Sequence, residues 1–208
     1  CVMSIVTYNN RSIANISAVP GAAKSLIHIK TLTASSSATL SFVDGSSDVV
    51  LDSTYPIYVF KFINIHAATD AADFLVNFSA DTGSNYNVTK TTTYFTVYHN
   101  ESGSATNLGY DDAHDLAQST GFQKLQTNSG TDNDQSCSGE MFLFNPSSTT
   151  FVKHFTSMMQ TYHNADYSLQ TPVAGYANTT SAIDAVQFKM DSGNIDAGTI
   201  KLYGIKDS

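Results

Sequence analysis

The chain has 208 residues, of which 41% are hydrophobic and 13% are charged, and its formal net charge is -8. The length fits one large all-β domain, and the charged share is about half that of an average soluble protein. With 10 basic residues against 18 acidic ones, the chain has no basic stripe for phosphates. We therefore expect no nucleic-acid partner and no binding to an anionic membrane surface.

The first part of the chain predicts an extended N-terminal arm over residues 1–24. A brief β-prone run covers residues 4–8, and small and polar residues follow as far as Pro20-Gly21. Such a segment cannot build a core of its own, so we expect it to lie along the domain or to contact a neighbouring copy. The remaining residues, 25–208, are predicted to form a single domain.

Two strands are predicted directly after the arm, at residues 25–33 and 38–43, and we expect them to pair with each other. The strongest strand signal follows at residues 55–65. There, Tyr58, Phe60 and Phe62 share one face, while the other face is also largely apolar. A strand with two apolar faces is expected in the middle of a sheet, covered on both sides or at a subunit contact. This stretch is broken by Lys61 and is too short to span a bilayer as a helix.

The middle of the chain continues as short β-rich runs between loops of Ser, Thr, Asn, Gly and Asp. Residues 100–136 are the least strand-like part, with at most one helical turn or short strand between residues 112 and 125. Further strands are predicted at residues 74–79, 91–99, 139–144, 150–163 and 167–176. The total is about nine or ten strands with almost no helix.

The C-terminal stretch, residues 183–205, carries the clearest alternation. Val186, Phe188 and Met190 alternate with polar or small residues before a turn-prone segment, and Ile200 and Leu202 alternate after it. Two alternating runs across a Gly/Asn turn predict an antiparallel pair. With no linker or repeat to divide the chain, the whole pattern predicts a single antiparallel β-sandwich, jelly-roll-like, or a related barrel.

Two segments near the C-terminus resemble a known group of proteins. They read DNDQSCSGEMFLFNPSSTTFVKHF, over residues 132–155, and VAGYANTTSAIDAVQFKMDSGNIDAGTIKLYGIK, over residues 173–206. Together they resemble uncharacterised proteins of marine tailed bacteriophages, many of which end in an SGNI-x-x-GTIKLYGI-like strand pair. The similarity extends over most of residues 25–206. It implies a virion structural role as a capsid decoration, a head fibre or a tail appendage, and it carries over no functional residue.

Acidic and histidine residues were considered as metal ligands. Asp111-Asp112-Ala113-His114-Asp115 and Asp132-Asn133-Asp134 could each offer oxygen ligands to Ca²⁺, although neither matches an EF-hand loop. The histidines, including His28, His154 and His163, show none of the tight ligand spacing of zinc sites. We therefore predict no metal ligand and no cofactor.

Catalytic motifs are absent from the sequence, so we predict that the protein is not an enzyme. It has no G-x-S-x-G elbow and no H-E-x-x-H, and Gly21-Ala22-Ala23-Lys24-Ser25 lacks the glycine that precedes the lysine of a P-loop. The two cysteines, Cys1 and Cys137, are too few for a disulfide framework and are expected to be free thiols. An N-terminal Cys also occurs in mature lipoproteins, which is the alternative for Cys1.

The predicted function is assembly on the exterior surface of a phage particle. The partners would be copies of the chain itself, as a trimer, and other virion proteins such as capsid or tail proteins. The alternative is a receptor-binding module that recognises host-surface carbohydrate, because the chain is rich in tyrosine and in Asn/Asp loops. Aromatic rings stack on sugars, and the tyrosines considered for this role are Tyr86, Tyr110, Tyr162 and Tyr167.

Overall fold

A computed structural model describes residues 26–206; the predicted arm, residues 1–24, lies outside them. The described part is all-β, as predicted, and every strand pairing in it is antiparallel. The strands are β1 (Leu26–Thr33), β2 (Leu40–Val43), β3 (Ile57–Ala67), β4 (Ala72–Ser79), β5 (Lys90–Asn100), β6 (Thr106–Tyr110), β7 (Gln123–Ser129), β8 (Cys137–Phe144), β9 (Lys153–His163), β10 (Tyr167–Ala177), β11 (Ala185–Met190) and β12 (Ile195–Ile205). Within residues 26–206, no helix is long and apolar enough to cross a membrane.

The strands form one antiparallel sheet that nearly closes on itself. Its longer part runs in the order β1-β12-β3-β8-β9-β10-β5-β6, and its shorter part runs β7-β4-β11-β2. The two parts meet where Ser129 at the end of β7 pairs with His163 at the end of β9. Strands β1, β2 and β6 each pair with a single described strand, so they form the edges of the sheet.

The core lies between the two parts of the sheet and centres on Phe188 of β11, which is fully buried. Its ring centroid lies 5.3 Å from that of Phe60 and 5.1 Å from that of Phe62, both on β3. Phe74 of β4 stacks on it at 5.8 Å, and Phe42 of β2 contacts it at 6.3 Å. Because β3 and β11 are not hydrogen-bonded neighbours, these contacts hold the two parts together by packing.

Strand β3 lies mid-sheet between β12 and β8, as its two apolar faces predicted. Tyr58 and Phe60 are buried on the predicted face. Beyond Phe62 the alternation breaks, because Asn64 has a positive φ of 49° and the register with β8 shifts. The irregularity leaves Ile63 exposed and Ile65 fully buried, although both were predicted to share one face.

The predicted C-terminal antiparallel pair is wrong. Strand β11 pairs with β2 and β4, whereas β12 pairs with β1 and β3, so the chain crosses between the two parts of the sheet at residues 191–194. The loop before β2 holds this crossing: the Asn194 side chain donates to the Ser36 carbonyl at 2.9 Å, and the Ile195 amide donates to the Ser37 carbonyl at 2.9 Å. These bonds draw the start of β12 towards β1.

Three other predictions also differ from the structure. Strands β1 and β2 do not pair with each other, because β1 joins β12 and β2 joins β11. The least strand-like region, residues 100–136, contains two strands, β6 and β7, where at most one helical turn or one short strand was expected. The number of strands is therefore twelve within the described residues, against the nine or ten expected.

Candidate functional site

The longer part of the sheet presents one face away from the core, which we call the outer face. On β9, Phe155 and Met159 are buried, while the alternate residues Met158 and Gln160 are exposed. Gln160 pairs with Gln170 of β10. The outer face therefore runs across β9 and β10, and the register carries it on to β5 and β6.

An exposed apolar surface, the outer apolar patch, occupies the β6 end of this face. It consists of Phe95 and Val97 on β5, Leu108 and Tyr110 on β6 and Met158 on β9. Leu108 is 74% exposed, Tyr110 50%, Met158 42% and Phe95 40%. Phe95 lies opposite Tyr110, with ring centroids 5.2 Å apart, and Val97 lies opposite Leu108. Phe95, Val97, Leu108 and Tyr110 therefore form one surface, and Met158 lies on the same face across β10.

Two acidic side chains beside the patch already have contacts within the chain. Glu140 of β8 lies opposite Met158 and forms an ion pair with Lys61 of β3. The hydroxyl of Tyr110 donates to the carboxylate of Asp115. These contacts lower the cost of desolvating Glu140 and Asp115 when a partner covers the patch.

Next to the patch lies a polar cleft of about 480 Å³, a size usual for small-molecule sites. Strands β8, β9 and β10 and the turn after β5 form it. The residues that line this cleft are His99, Asn100, Glu101, Ser136, Ser138, Gln160, Thr161, Tyr162, Tyr167 and Ser168. Most of them are uncharged hydrogen-bonding residues, so the cleft offers many donors and acceptors and little charge.

Tyr162 is held in place at its hydroxyl. The hydroxyl lies 3.4 Å from the Asp166 carboxylate, and a hydrogen bond to Glu101 raises the pKa of Tyr162 to about 12. The amide of Glu101 in turn donates to the carbonyl of Asp166 at 3.0 Å, which joins the turn after β5 to the turn after β9. The phenol is thus oriented by two neighbouring turns.

The four tyrosines considered for sugar stacking separate into three places. Tyr162 and Tyr167 both line the cleft, whereas Tyr110 belongs to the outer apolar patch and Tyr86 lies before β5, lining neither surface. The Tyr167 ring is stacked near-parallel to two others, at 5.1 Å from Tyr98 and 5.0 Å from His163. Tyr162 is therefore the cleft tyrosine whose ring is not taken up by stacking.

The patch and the cleft adjoin each other. His99, which lines the cleft, follows Val97 by two residues on β5 and pairs with Ser168 of β10. No protein-family model, curated protein or solved structure matches the chain. The side chains of these two surfaces are therefore the basis for inferring what they bind.

In the acidic cluster at residues 111–115, considered for Ca²⁺, two carboxylates are engaged in local contacts. The Asp111 carboxylate contacts the His114 ring at 2.7 Å, and Asp115 accepts the Tyr110 hydroxyl. Asp134 lines a separate shallow cleft that also includes His66. In the part of the chain that the structure describes, no three His, Cys, Asp or Glu residues converge in a way that could hold a metal ion.

The predicted histidine and cysteine candidates lie in different places. His28 contacts the Thr31 hydroxyl at 2.7 Å, His154 lies beside Tyr176, and burial lowers the pKa of His163. Cys137 is a buried free thiol, and burial raises its pKa to about 12. A thiol in that state is a poor nucleophile. Cys1 lies outside the described residues.

Proposed function

We propose that this protein has a non-catalytic role and acts by assembling with copies of itself through the outer apolar patch. The observation that carries the proposal is the clustering of exposed Phe95, Leu108, Tyr110 and Met158 on one face of the sheet. Single exposed apolar side chains are ordinary on soluble proteins, whereas contiguous ones mark interaction sites. Aromatic and methionine side chains are also enriched in protein interfaces.

The proposed oligomer is a closed homotrimer. A closed ring covers the patch of every copy, so the patch recruits no further molecules. The low charged share of the chain, 13%, favours such contacts, because few ions lose water when they form. The number three stays a prediction, and the mass of the assembly tests it.

We further propose that the assembly belongs to the exterior of a bacteriophage particle, as a capsid decoration, head fibre or tail appendage that also contacts capsid or tail proteins. The support is the resemblance of residues 132–155 and 173–206 to phage proteins. An all-β domain with an exposed apolar face suits a structural role of this kind.

The finer fold description that we propose is a jelly-roll-like sandwich. Its support is the packing of Phe60 and Phe62 on β3 against Phe188 on β11, because these strands belong to different parts of the sheet. An experimental structure of the assembly would test both this description and the contact through the patch.

The direct test of assembly is the light-scattering mass of the full chain and of Leu108→Asp. The full chain should have three times the monomer mass of 22.4 kDa. Leu108→Asp should be monomeric, because a carboxylate placed in the contact would lose its water without gaining a partner. Since Leu108 is exposed within each copy, the substitution should leave the fold intact, which circular dichroism checks.

Phe151→Asp is the matched control. Phe151 is 69% exposed in the turn before β9 and is not part of the patch. It should keep the mass of the unmodified chain. A monomeric full chain, or equal dissociation by both substitutions, would contradict assembly through the patch.

A further inference from the structure

We infer that the polar cleft binds an uncharged sugar ring. This inference rests on the side chains of the cleft, and it is independent of the proposed assembly through the outer apolar patch. It concerns a second surface on the same face, formed by β8, β9, β10 and the turn after β5.

The charge of the lining decides which class of ligand fits. Glu101 is the one carboxylate among the lining residues, and neither lysine nor arginine lines the cleft within the described chain. Phosphates, sulfates and carboxylates are normally held by such cations. An anionic ligand would instead meet Glu101 and a chain of net charge -8. The lining therefore favours a ligand without charge.

The hydrogen-bonding groups of the cleft suit hydroxyls, which both donate and accept. The Gln160 amide nitrogen donates to the Ser168 hydroxyl at 3.1 Å and to the Thr161 carbonyl at 3.3 Å. Its side-chain oxygen accepts no hydrogen bond from the described residues and can accept one from a ligand. The Ser138 hydroxyl accepts from the Asn64 amide at 3.0 Å, so its own proton can be donated.

The register places these groups side by side. Ser138 on β8 and Gln160 on β9 lie directly opposite each other, so their Cβ atoms are roughly 5 Å apart. A donor and an acceptor at that spacing match neighbouring hydroxyls of a pyranose. Ser168 on β10 lies opposite Tyr162, which is two residues after Gln160 on β9, and it adds a second hydroxyl.

Tyr162 supplies the apolar element that a sugar site needs. Sugar rings have C–H faces that pack on aromatic rings, while their hydroxyls bond to polar groups at the edge. The phenol is already oriented by Glu101 and Asp166 before any ligand arrives, so little side-chain entropy is lost on binding. The cleft reaches from β8 across β9 and β10 to the turn after β5, or roughly 14 Å, which accommodates one or two sugar rings.

The test is saturation-transfer NMR on the full chain with defined sugars. The neutral probes are methyl α-glucopyranoside, methyl β-galactopyranoside and N-acetylglucosamine, and the anionic probe is N-acetylneuraminic acid. At least one neutral sugar should give a saturation-transfer signal. The affinity for that sugar, measured by titration, should be at least tenfold lower in Gln160→Ala and in Ser138→Ala. N-acetylneuraminic acid should bind more weakly than the neutral sugar.

Gln170→Ala is the matched control, because Gln170 lies opposite Gln160 on the same face but does not line the cleft. It should bind like the unmodified chain. Equal thermal midpoints in all three variants would show that the fold is intact. The absence of a signal with every neutral sugar, binding of the anionic sugar alone, or binding unchanged in both cleft variants would overturn the inference.

A different measurement, the light-scattering mass, tests the assembly proposal. Gln160→Ala should leave the light-scattering mass unchanged, since Gln160 is not part of the patch. Leu108→Asp should lose the oligomer and keep the sugar signal. Loss of the sugar signal in Leu108→Asp would overturn the statement that the cleft of a single copy suffices.

Discussion

Lys90 and Lys153 lie on either side of Ala177 in one row across β5, β10 and β9, and both side chains are fully buried. Neither ammonium contacts a carboxylate of residues 26–206. Lys90 donates to the carbonyls of Val88, at 2.9 Å, and Gly121, at 2.7 Å. Lys153 is held in the same way, by two backbone carbonyls of the segment after β10. Buried cations that have carbonyl partners alone are costly to keep charged.

This burial predicts a pH-dependent stability that can be assigned to Lys90. Burial lowers the pKa of Lys90 to about 8, from 10.5 for a lysine in water. Between these values the unfolded chain binds more protons than the folded one, so the free energy of unfolding rises with pH. From pH 7.5 to 9 the gain should be roughly 1 kcal/mol. Urea unfolding at both pH values measures it.

Lys90→Met is the variant that isolates this effect, because it removes the titrating group and keeps most of the side-chain volume. Its free energy of unfolding should rise less with pH than that of the unmodified chain, and Lys153, whose pKa burial also lowers, accounts for the rise that remains. The window stops at pH 9 because burial raises the pKa of Cys137 to about 12, which lowers stability at higher pH. Lys206→Met, at an exposed position, should retain the rise. Parallel curves for the unmodified chain and Lys90→Met would contradict the prediction.

The aromatic cluster predicts a large loss of stability for Phe188→Ala. Phe188 is fully buried among rings from three other strands, so the substitution removes apolar contacts and leaves a cavity. The expected cost is about 3–5 kcal/mol. Chemical denaturation at neutral pH measures the free energy of unfolding.

Lys189→Ala, at the next position along β11, is the comparison. Lys189 is half-buried, with its ammonium 4.3 Å from the centroid of the Phe122 ring. Losing that contact should cost about 0.5–1 kcal/mol. Similar small costs for both substitutions would mean that the faces of β11 are assigned wrongly.

Metal removal should have no effect on stability. The described residues contain no convergent group of metal ligands, and the side chains of Asp111 and Asp115 contact His114 and Tyr110. Thermal unfolding curves with and without EDTA should therefore superimpose. A midpoint that falls in EDTA and returns with Ca²⁺ would point instead to the clusters at residues 111–115 or 132–134.

The arm, residues 1–24, is predicted to take part in the oligomer. Ordering a polar arm costs roughly 1–2 kcal/mol per residue in backbone entropy, which burial against a neighbouring copy or the domain's own flank would offset. A chain that begins at Ser25 should therefore have a smaller light-scattering mass, or dissociate at a higher concentration, than the full chain. An unchanged oligomer would remove the arm from the contact and leave the patch.

Alternation in the sequence revealed which side chains face the core, but not which strands are neighbours. Phe188 and Leu202 were both expected to be buried, and both are. The pairing of their strands with each other was nevertheless wrong, because a period of two specifies a face and leaves the partner strand open. The crossing at residues 191–194 depends on bonds to the loop before β2, which is distant in sequence.

Several features of the structure depart from the rule that apolar side chains are buried and charged ones exposed, and the sequence did not predict them. Strand β6 places Leu108 and Tyr110 towards solvent, so its apolar residues do not identify a core strand. Lys90 and Lys153 are buried although their side chains are charged, and nothing in the sequence around them indicates this. The cleft brings Ser138 and Gln160 together across β8 and β9, and nothing local to either segment indicates a shared site.

The position of β12 has a consequence for synthesis on the ribosome. Leu26 pairs with Ile205, about 180 residues later, and β12 is the only described partner of β1. At roughly 5–20 residues per second, β1 waits roughly 10–40 s for that partner. During this interval the apolar strand β3 also has one open edge. The nascent chain therefore exposes unpaired strand edges that can pair with other ribosome-bound copies. Chaperones that shield such edges should raise the yield of folded protein.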